Sequence, residues 1–122
     1  VFGAAGQRDK YKREQMGKIA GQYADVIILV PEDPRREKTA QINDEIEKGI
    51  KKVNSQVKIK RFDKDELVSR KKGINWAISQ AEKGDVVITC GKGHEQSLCF
   101  GDTEYDWDEI EAVKKALNKL AS

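Results

Sequence analysis

The sequence predicts an α/β domain of the Rossmann-like, three-layer kind, with a mostly parallel sheet and a small C-terminal hairpin. Two continuous β-branched runs end at Val30 and Cys90, as in strands buried on both faces of a sheet. Segments with apolar residues at helical spacing alternate with such runs, in the order β-α-β-α-β-α-β-(ββ)-α. Glycine-rich polar turns follow the strands, where open α/β sheets bind ligands.

The first half of the chain contains two predicted strands and two predicted helices. Val1–Ala4 resembles the end of an apolar strand, and Val26–Val30 is a buried strand. Apolar stripes predict helices over 11–23 and Glu37–Val53. Gly17 lies inside the first stripe, which fits either close packing or mere tolerance. The stripes are Met16, Ile19, Ala20 and Tyr23 in the first helix, and Ile42, Ile46, Ile50 and Val53 in the second.

The middle of the chain predicts an edge strand, a helix and a buried strand. Val57–Lys60 alternates apolar and polar residues, as in a half-exposed edge strand. Asp63–Glu66 fits a capping box that opens a helix to Glu82. The apolar run Asp85–Cys90 follows as a buried strand, so we expect Cys90 to be buried. The inner face of the helix contains Leu67, Ile74, Ile78 and Ala81.

The C-terminal part predicts a hairpin and a last helix. Ser97–Phe100 and Thr103–Tyr105 flank a Gly-Asp turn. Asp106–Glu109 fits a second capping box at the start of the helix. Its buried stripe is expected to contain Ile110, Val113, Leu117 and Leu120, which would leave no apolar stripe exposed for a pure interaction domain.

Length and composition suit one domain covering residues 1–122. Lys and Arg number 23 and Asp and Glu 21, so a net charge of +2 gives no case for nucleic-acid binding. No apolar stretch reaches membrane-spanning length, and no signal-peptide pattern is seen in the sequence. Two cysteines do not make a disulfide framework. We expect a cytoplasmic protein and, because the sequence begins at Val1 inside a strand, a domain excised from a longer chain.

Three strand-to-helix turns hold the candidate chemistry, namely Gly3–Arg13, Pro31–Glu37 and Gly91–Glu95. Cations, carboxylates and glycines meet there on one predicted edge of the sheet. Neither a dinucleotide fingerprint nor a Walker A loop is present, and each turn alone could be an ordinary surface or helix-capping turn. His94, the only histidine, makes no zinc site with the two cysteines.

Taken in order, the three turns resemble the C-terminal domain of the Mur ligases, most closely the MurE type. The first turn reads VFGxxGxRDxxKRxxMG over Val1–Gly17. The second, Glu32–Arg35, stands where members that add diaminopimelate have Asp-Asn-Pro-Arg. The third, Gly91–Glu95, reads GKGHE after AxxxAxxGDVV over Ala77–Val87.

The resemblance implies an ATP-dependent ligase of peptidoglycan synthesis with three domains. Such enzymes add a diamino acid to UDP-MurNAc-dipeptide through an acyl phosphate. ATP and magnesium are held mainly by a central domain, and the UDP-sugar peptide by the first. This chain would supply the third domain, which binds the incoming amino acid and closes over the nucleotide. Alone it should be inactive and bind ATP very weakly.

The resemblance also assigns roles to individual residues. Arg8 would bind a carboxylate of the amino acid, and Arg35 the distal carboxylate of a diaminopimelate. Gly91 would supply backbone contacts, and Glu95 would pair with an ammonium group. His94 is assigned a structural role or one behind the residues that touch substrate. The turn Glu32, Asp33, Pro34 and Arg35 completes the substrate site, and Asp9, Lys12 and Arg13 are expected near the nucleotide or the interdomain seam.

The charges of the second turn indicate which side chain the substrate has. Asp33 replaces the family's asparagine, so together with Glu32 it favours a cationic partner, while Arg35 favours a carboxylate. meso-Diaminopimelate offers both charges and is slightly preferred over L-lysine or ornithine. The open alternatives are a ligase domain like folylpolyglutamate synthase or cyanophycin synthetase, and a stand-alone Rossmann-like nucleotide-binding module.

Overall fold

The computed structural model describes residues 1–121 and contains four helices and four strands. The alternation of helices with parallel strands agrees with the predicted α/β class. The elements in chain order are α1 (Tyr11–Tyr23), β1 (Val26–Leu29), α2 (Thr39–Val53), β2 (Lys58–Arg61), α3 (Leu67–Gln80), β3 (Ser97–Phe100), β4 (Thr103–Asp106) and α4 (Glu109–Ala121).

The sheet is built around β1, which is buried on both faces. β2 pairs with it in parallel, with Val26 opposite Lys58 and alternating exposure as expected of an edge strand. On the other side Phe2 donates its N–H to the Ile28 carbonyl at 3.0 Å and accepts from Val30 at 3.0 Å. One core cluster joins this sheet to the inner face of α2, with Ile27, Leu29, Ile42, Ile46 and Ile50 buried.

The predicted strand over Asp85–Cys90 is wrong. The Val1 ammonium donates to the Ile88 carbonyl at 2.8 Å, and the Cys90 N–H donates to the Val1 carbonyl at 2.9 Å. Among the described residues only the backbone of Val1 pairs with this segment, so the ladder is too short for a strand. Its side chains are uncovered, with Val86 82% exposed. Cys90 is exposed as well, which corrects the prediction that it is buried.

Two glycines and half of the predicted stripe form the inner face of α1, where Met16 and Ala20 are partly buried against the core. Ile19 and Tyr23 are exposed, whereas Gly17 and Gly21 are buried against α2. A Cβ on Gly17 would overlap the Ile46 carbonyl oxygen, so the two backbones touch. Gly17 therefore serves close packing, one of the two readings its position allowed.

α3 and α4 enclose a second cluster with the hairpin. Ile74 and Ile78 of α3 are buried as predicted. In α4, however, the buried face consists of Ala112 and Ala116, because small side chains allow the two helices to approach closely. The predicted stripe of α4 is therefore wrong: Ile110, Leu117 and Leu120 are exposed and Val113 is partly buried.

The hairpin is confirmed, but both capping boxes are wrong. Ser97 pairs with Asp106 and Phe100 with Thr103. Asp63 accepts from Asn43 and Arg61, so it does not cap α3. Asp108, not Asp106, caps the last helix, because its Oδ1 accepts from the Glu111 N–H at 3.0 Å.

None of the helices within residues 1–121 has the length and apolarity needed to cross a membrane.

Candidate functional site

The first and second turns contact each other directly. The Gly6 N–H donates to the Asp33 carbonyl at 2.9 Å, and Arg35 Nη1 donates to the Gly6 carbonyl at 3.0 Å. A side chain on Gly6 would overlap the Pro34 carbonyl, so only glycine permits this approach. The expectation that these turns share one edge is met.

Lys92 joins the second turn to the third. Its ammonium lies 2.8 Å from Asp33 Oδ2 and 2.9 Å from Glu95 Oε2, and the residue is only 2% exposed. Burial alone would lower its pKa, but hydrogen bonds to Asp33 and Glu95 raise the pKa above its usual value. Sequence reasoning gave Lys92 no role. The available signal was a lone lysine between two glycines, opposite a turn rich in acids.

The second turn is held in an uncommon backbone conformation. Asp33 and Arg35 have positive φ values of 42° and 55°. Asp33 Oδ1 accepts from the Cys99 N–H at 2.8 Å, and the Arg35 N–H donates to the Cys99 carbonyl at 3.2 Å. Left-handed conformations at non-glycine residues persist only where surrounding contacts enforce them, and they concentrate at functional sites.

Glu32 lies against Gly91 and is the carboxylate left without a donor. Gly91 has φ 106°, and a Cβ there would overlap the Glu32 carboxylate. Within residues 1–121 the Glu32 carboxylate accepts no hydrogen bond and forms no salt bridge. Burial raises the pKa of this carboxyl above its usual value, although Arg70 and Lys92 partly oppose the shift. A bound cation would stabilise the ionised form.

Two guanidinium groups on the joined first and second turns retain free donors. Arg8 is exposed and has no partner among the described residues. Arg35 uses only Nη1 of its side chain, so its Nε and Nη2 stay available within residues 1–121. The cluster can therefore offer carboxylate-binding forks and an ammonium-binding carboxylate together.

The residues expected near a nucleotide differ in accessibility. Asp9 and Lys12 are exposed, and Asp9 Oδ1 accepts from the Tyr11 N–H at 3.0 Å. Arg13 is buried, and its guanidinium donates to Glu37, Glu45 and the Ala5 carbonyl. These contacts favour a role in holding the first turn; nucleotide contact by any of the three stays a prediction.

His94 and the cysteines form no metal site. His94 and Cys90 are exposed and Cys99 is buried, with both thiols free. Residues 1–121 contain no group of three or more His, Cys, Asp or Glu side chains that could hold a metal ion.

An apolar groove leads to Glu32 and Gly91. It lies between α1 and the segment ending at Gly91, and its volume is about 470 Å³, within the range of small-molecule sites. Met16, Ile19 and Ile88 line its sides.

Residues 1–93 match the family model described as Mur ligase, glutamate ligase domain. The chain belongs to this family.

Two named relatives indicate which type of Mur ligase the chain resembles. The chain is 44% identical, over 96% of its length, to the UDP-N-acetylmuramoyl-L-alanyl-D-glutamate--2,6-diaminopimelate ligase of Caldanaerobacter subterraneus subsp. tengcongensis, of which it covers 23%. It is 46% identical, over 98% of its length, to the UDP-N-acetylmuramyl-tripeptide synthetase of Borreliella burgdorferi, again covering 23%. The MurE-type resemblance is thereby confirmed and favoured over the folylpolyglutamate synthase or cyanophycin synthetase alternative.

A solved structure supports the same fold. A UDP-N-acetylmuramoyl-L-alanyl-D-glutamate--2,6-diaminopimelate ligase superposes on the whole chain with a TM-score of 0.87 at 30% identity, and the match covers 24% of that protein. The Rossmann-like fold class is confirmed. The chain spans about a quarter of the length of the relatives it matches.

Proposed function

We propose that this chain is the amino-acid-binding domain of a longer MurE-type ligase that adds a diamino acid to UDP-MurNAc-dipeptide with ATP. The observation that carries the proposal is the set of unsatisfied charges on the joined turns. Within residues 1–121, Arg8 and Arg35 keep free guanidinium donors, and Glu32 keeps a carboxylate without a donor.

The balance of these charges favours meso-diaminopimelate. Two guanidinium groups suit two carboxylates, and the Glu32 carboxylate suits an ammonium group. L-Lysine or ornithine would leave one guanidinium unmatched. Asp33 and Glu95 already share the Lys92 ammonium, so their contribution is to shape the turns as well as to add negative potential.

The chain's part in the reaction is to hold the amino acid in place and present its amine. Positioning of this kind makes a large contribution to reactions between two bound substrates. ATP, magnesium and the UDP-MurNAc-dipeptide would be held mainly by other domains of the full-length ligase, in the cytoplasm. Nucleic acid and membrane have no role in this proposal.

The test uses the full-length ligase and measures amide-bond formation with meso-diaminopimelate, L-lysine and L-ornithine. Arg35→Lys keeps the charge but loses the planar fork. We expect the KM for meso-diaminopimelate to rise about tenfold, with the KM for ATP unchanged. The matched control is Arg36→Lys, because the neighbouring Arg36 is exposed and pairs with Asp102 instead.

Two results would contradict the proposal. One is failure to use any of the three diamino acids, because the charges of the cluster would then be unmatched. The other is an equal effect of Arg35→Lys and Arg36→Lys on the KM for the amino acid.

A further inference from the structure

Arg70 is a fully buried cation to which the sequence assigns no role. It lies on α3 and is 0% exposed. Its Nε and Nη2 donate to the two carboxylate oxygens of Glu109 at 2.9 and 2.8 Å. The same guanidinium donates through Nη1 to the Pro31 carbonyl at 2.9 Å and through Nη2 to the Cys90 carbonyl at 2.9 Å.

The two carbonyl acceptors belong to residues that directly precede residues of the candidate site. Pro31 directly precedes Glu32, and Cys90 directly precedes Gly91, so Arg70 binds the backbone at the start of two of the site's three turns. Guanidinium donors have a rigid planar arrangement. One planar group therefore sets the spacing between the turn that bears Glu32 and the turn that bears Gly91 and Glu95.

Glu109 keeps the guanidinium in position. This carboxylate is itself only 4% exposed and also accepts from Trp107 Nε1 at 2.8 Å. Burial would raise its pKa, but hydrogen bonds from Arg70, Trp107 and Thr89 hold the pKa below its usual value. The start of α4 is thus linked to both turns through a dry ion pair.

We propose that Arg70 is a positioning residue for amino-acid binding, holding the Glu32 turn and the Gly91 turn at the spacing that grips the diamino acid. The inference rests on the function proposed above. Arg70 acts through the carbonyls of Pro31 and Cys90 and does not itself reach the substrate. Loss of the Arg70 side chain should let the two turns move apart. A displacement of about 1 Å at a bound substrate can reduce the efficiency of the reaction roughly 100-fold.

The test variant is Arg70→Met combined with Glu109→Gln in the full-length ligase. Replacing both charges by neutral groups of similar size often preserves stability, yet the carbonyls of Pro31 and Cys90 lose their donor. We expect the KM for the diamino acid to rise about 10- to 100-fold, with the KM values for ATP and UDP-MurNAc-dipeptide within about twofold. Because two carbonyls lose their donor, the apparent unfolding temperature should fall, and it is measured to show that the variant is folded at the assay temperature.

Two matched controls separate positioning from general destabilisation. Glu109→Gln alone keeps an amide oxygen that can still accept a hydrogen bond from the guanidinium, so Arg70 retains both carbonyl contacts and the KM for the diamino acid should rise less than about threefold. Ile46→Val loosens the core on α2, away from the Arg70 contacts, and should leave all three KM values unchanged. Arg70→Lys keeps the charge but replaces the planar fork by one ammonium group that cannot reach all four acceptors at once, so it should give an intermediate KM.

The outcomes distinguish this inference from the proposed function. If the parent enzyme uses no diamino acid, the proposed function fails and Arg70's role fails with it. If the parent uses one but the folded double variant keeps its KM within twofold, the Arg70 inference alone is overturned. A uniform rise in all three KM values would also overturn it. Should the double variant not fold, Arg70→Lys decides by the same comparison of KM values.

Discussion

Two buried arginines hold the turns of the candidate site, and they differ in how much water reaches their carboxylate partners. Arg13 on α1 is 1% exposed, but its partners Glu37 and Glu45 have side chains that are 19% and 43% exposed. Arg70 on α3 pairs with Glu109, which is 4% exposed. The first region can rehydrate its carboxylates when the cation is lost. The second cannot, so the same substitution should have unequal consequences.

The largest effect is expected from Arg70→Met. The variant leaves the Glu109 carboxylate buried and unpaired, which typically reduces the free energy of unfolding by about 3–5 kcal/mol. Arg13→Met should reduce it by only about 1–2 kcal/mol, because its carboxylate partners regain water. Urea unfolding of both variants beside the parent measures the difference. Equal losses would show that solvent access to the partners does not govern the two regions.

An intermediate effect is expected where α1 meets α2. Gly17→Ala places a methyl group into the Ile46 backbone, and overpacking of this kind reduces the free energy of unfolding by about 1–3 kcal/mol. Gln22→Ala, on the exposed face of α1, is the matched control and should change it by less than about 0.5 kcal/mol. If Gly17→Ala is as mild as the control, backbone contact does not hold α1 and α2 together.

The helices and turns that could be predicted are those defined by local pattern. The spacing of Ile42, Ile46 and Ile50 correctly placed the inner face of α2, because three large apolar residues on one side leave only one face to bury. Val53, the last residue of the predicted stripe, is exposed at the end of the helix. The three turns were also predicted to meet, because strand ends share an edge.

The features that could not be predicted are those that depend on contacts between segments distant in the sequence. α4 has an alanine face and a larger apolar face, and periodicity alone does not say that α3 takes the alanine face. The exposed segment before Cys90 has a strand-like composition, but strand formation also needs a partner of matching length. Arg70 and Lys92 looked like ordinary surface cations, because burial of a cation is determined by acceptors distant in sequence.

The smallest expected effect is on the pH dependence of stability, to which the Arg13 region contributes through Glu37. Hydrogen bonding from Arg13 lowers the pKa of Glu37 to about 2, below its ordinary value of 4.5. A carboxyl whose folded-state pKa is depressed contributes stability that is fully present above the ordinary value. That contribution disappears as the pH falls from about 4.5 towards 2. The loss should be modest, because Glu37 is partly solvated.

Glu37→Gln should therefore lower the urea midpoint at pH 7 and flatten its fall between about pH 5 and 3. Glu104→Gln is the control, since Glu104 is exposed on β4 and forms no salt bridge within residues 1–121; it should leave the parent's slope intact. Midpoints measured at half-unit intervals give both slopes. If Glu37→Gln keeps the parent's slope, the acid sensitivity of the chain comes from other carboxylates, and the Arg13 region is no more dependent on ionisation than its exposed surface.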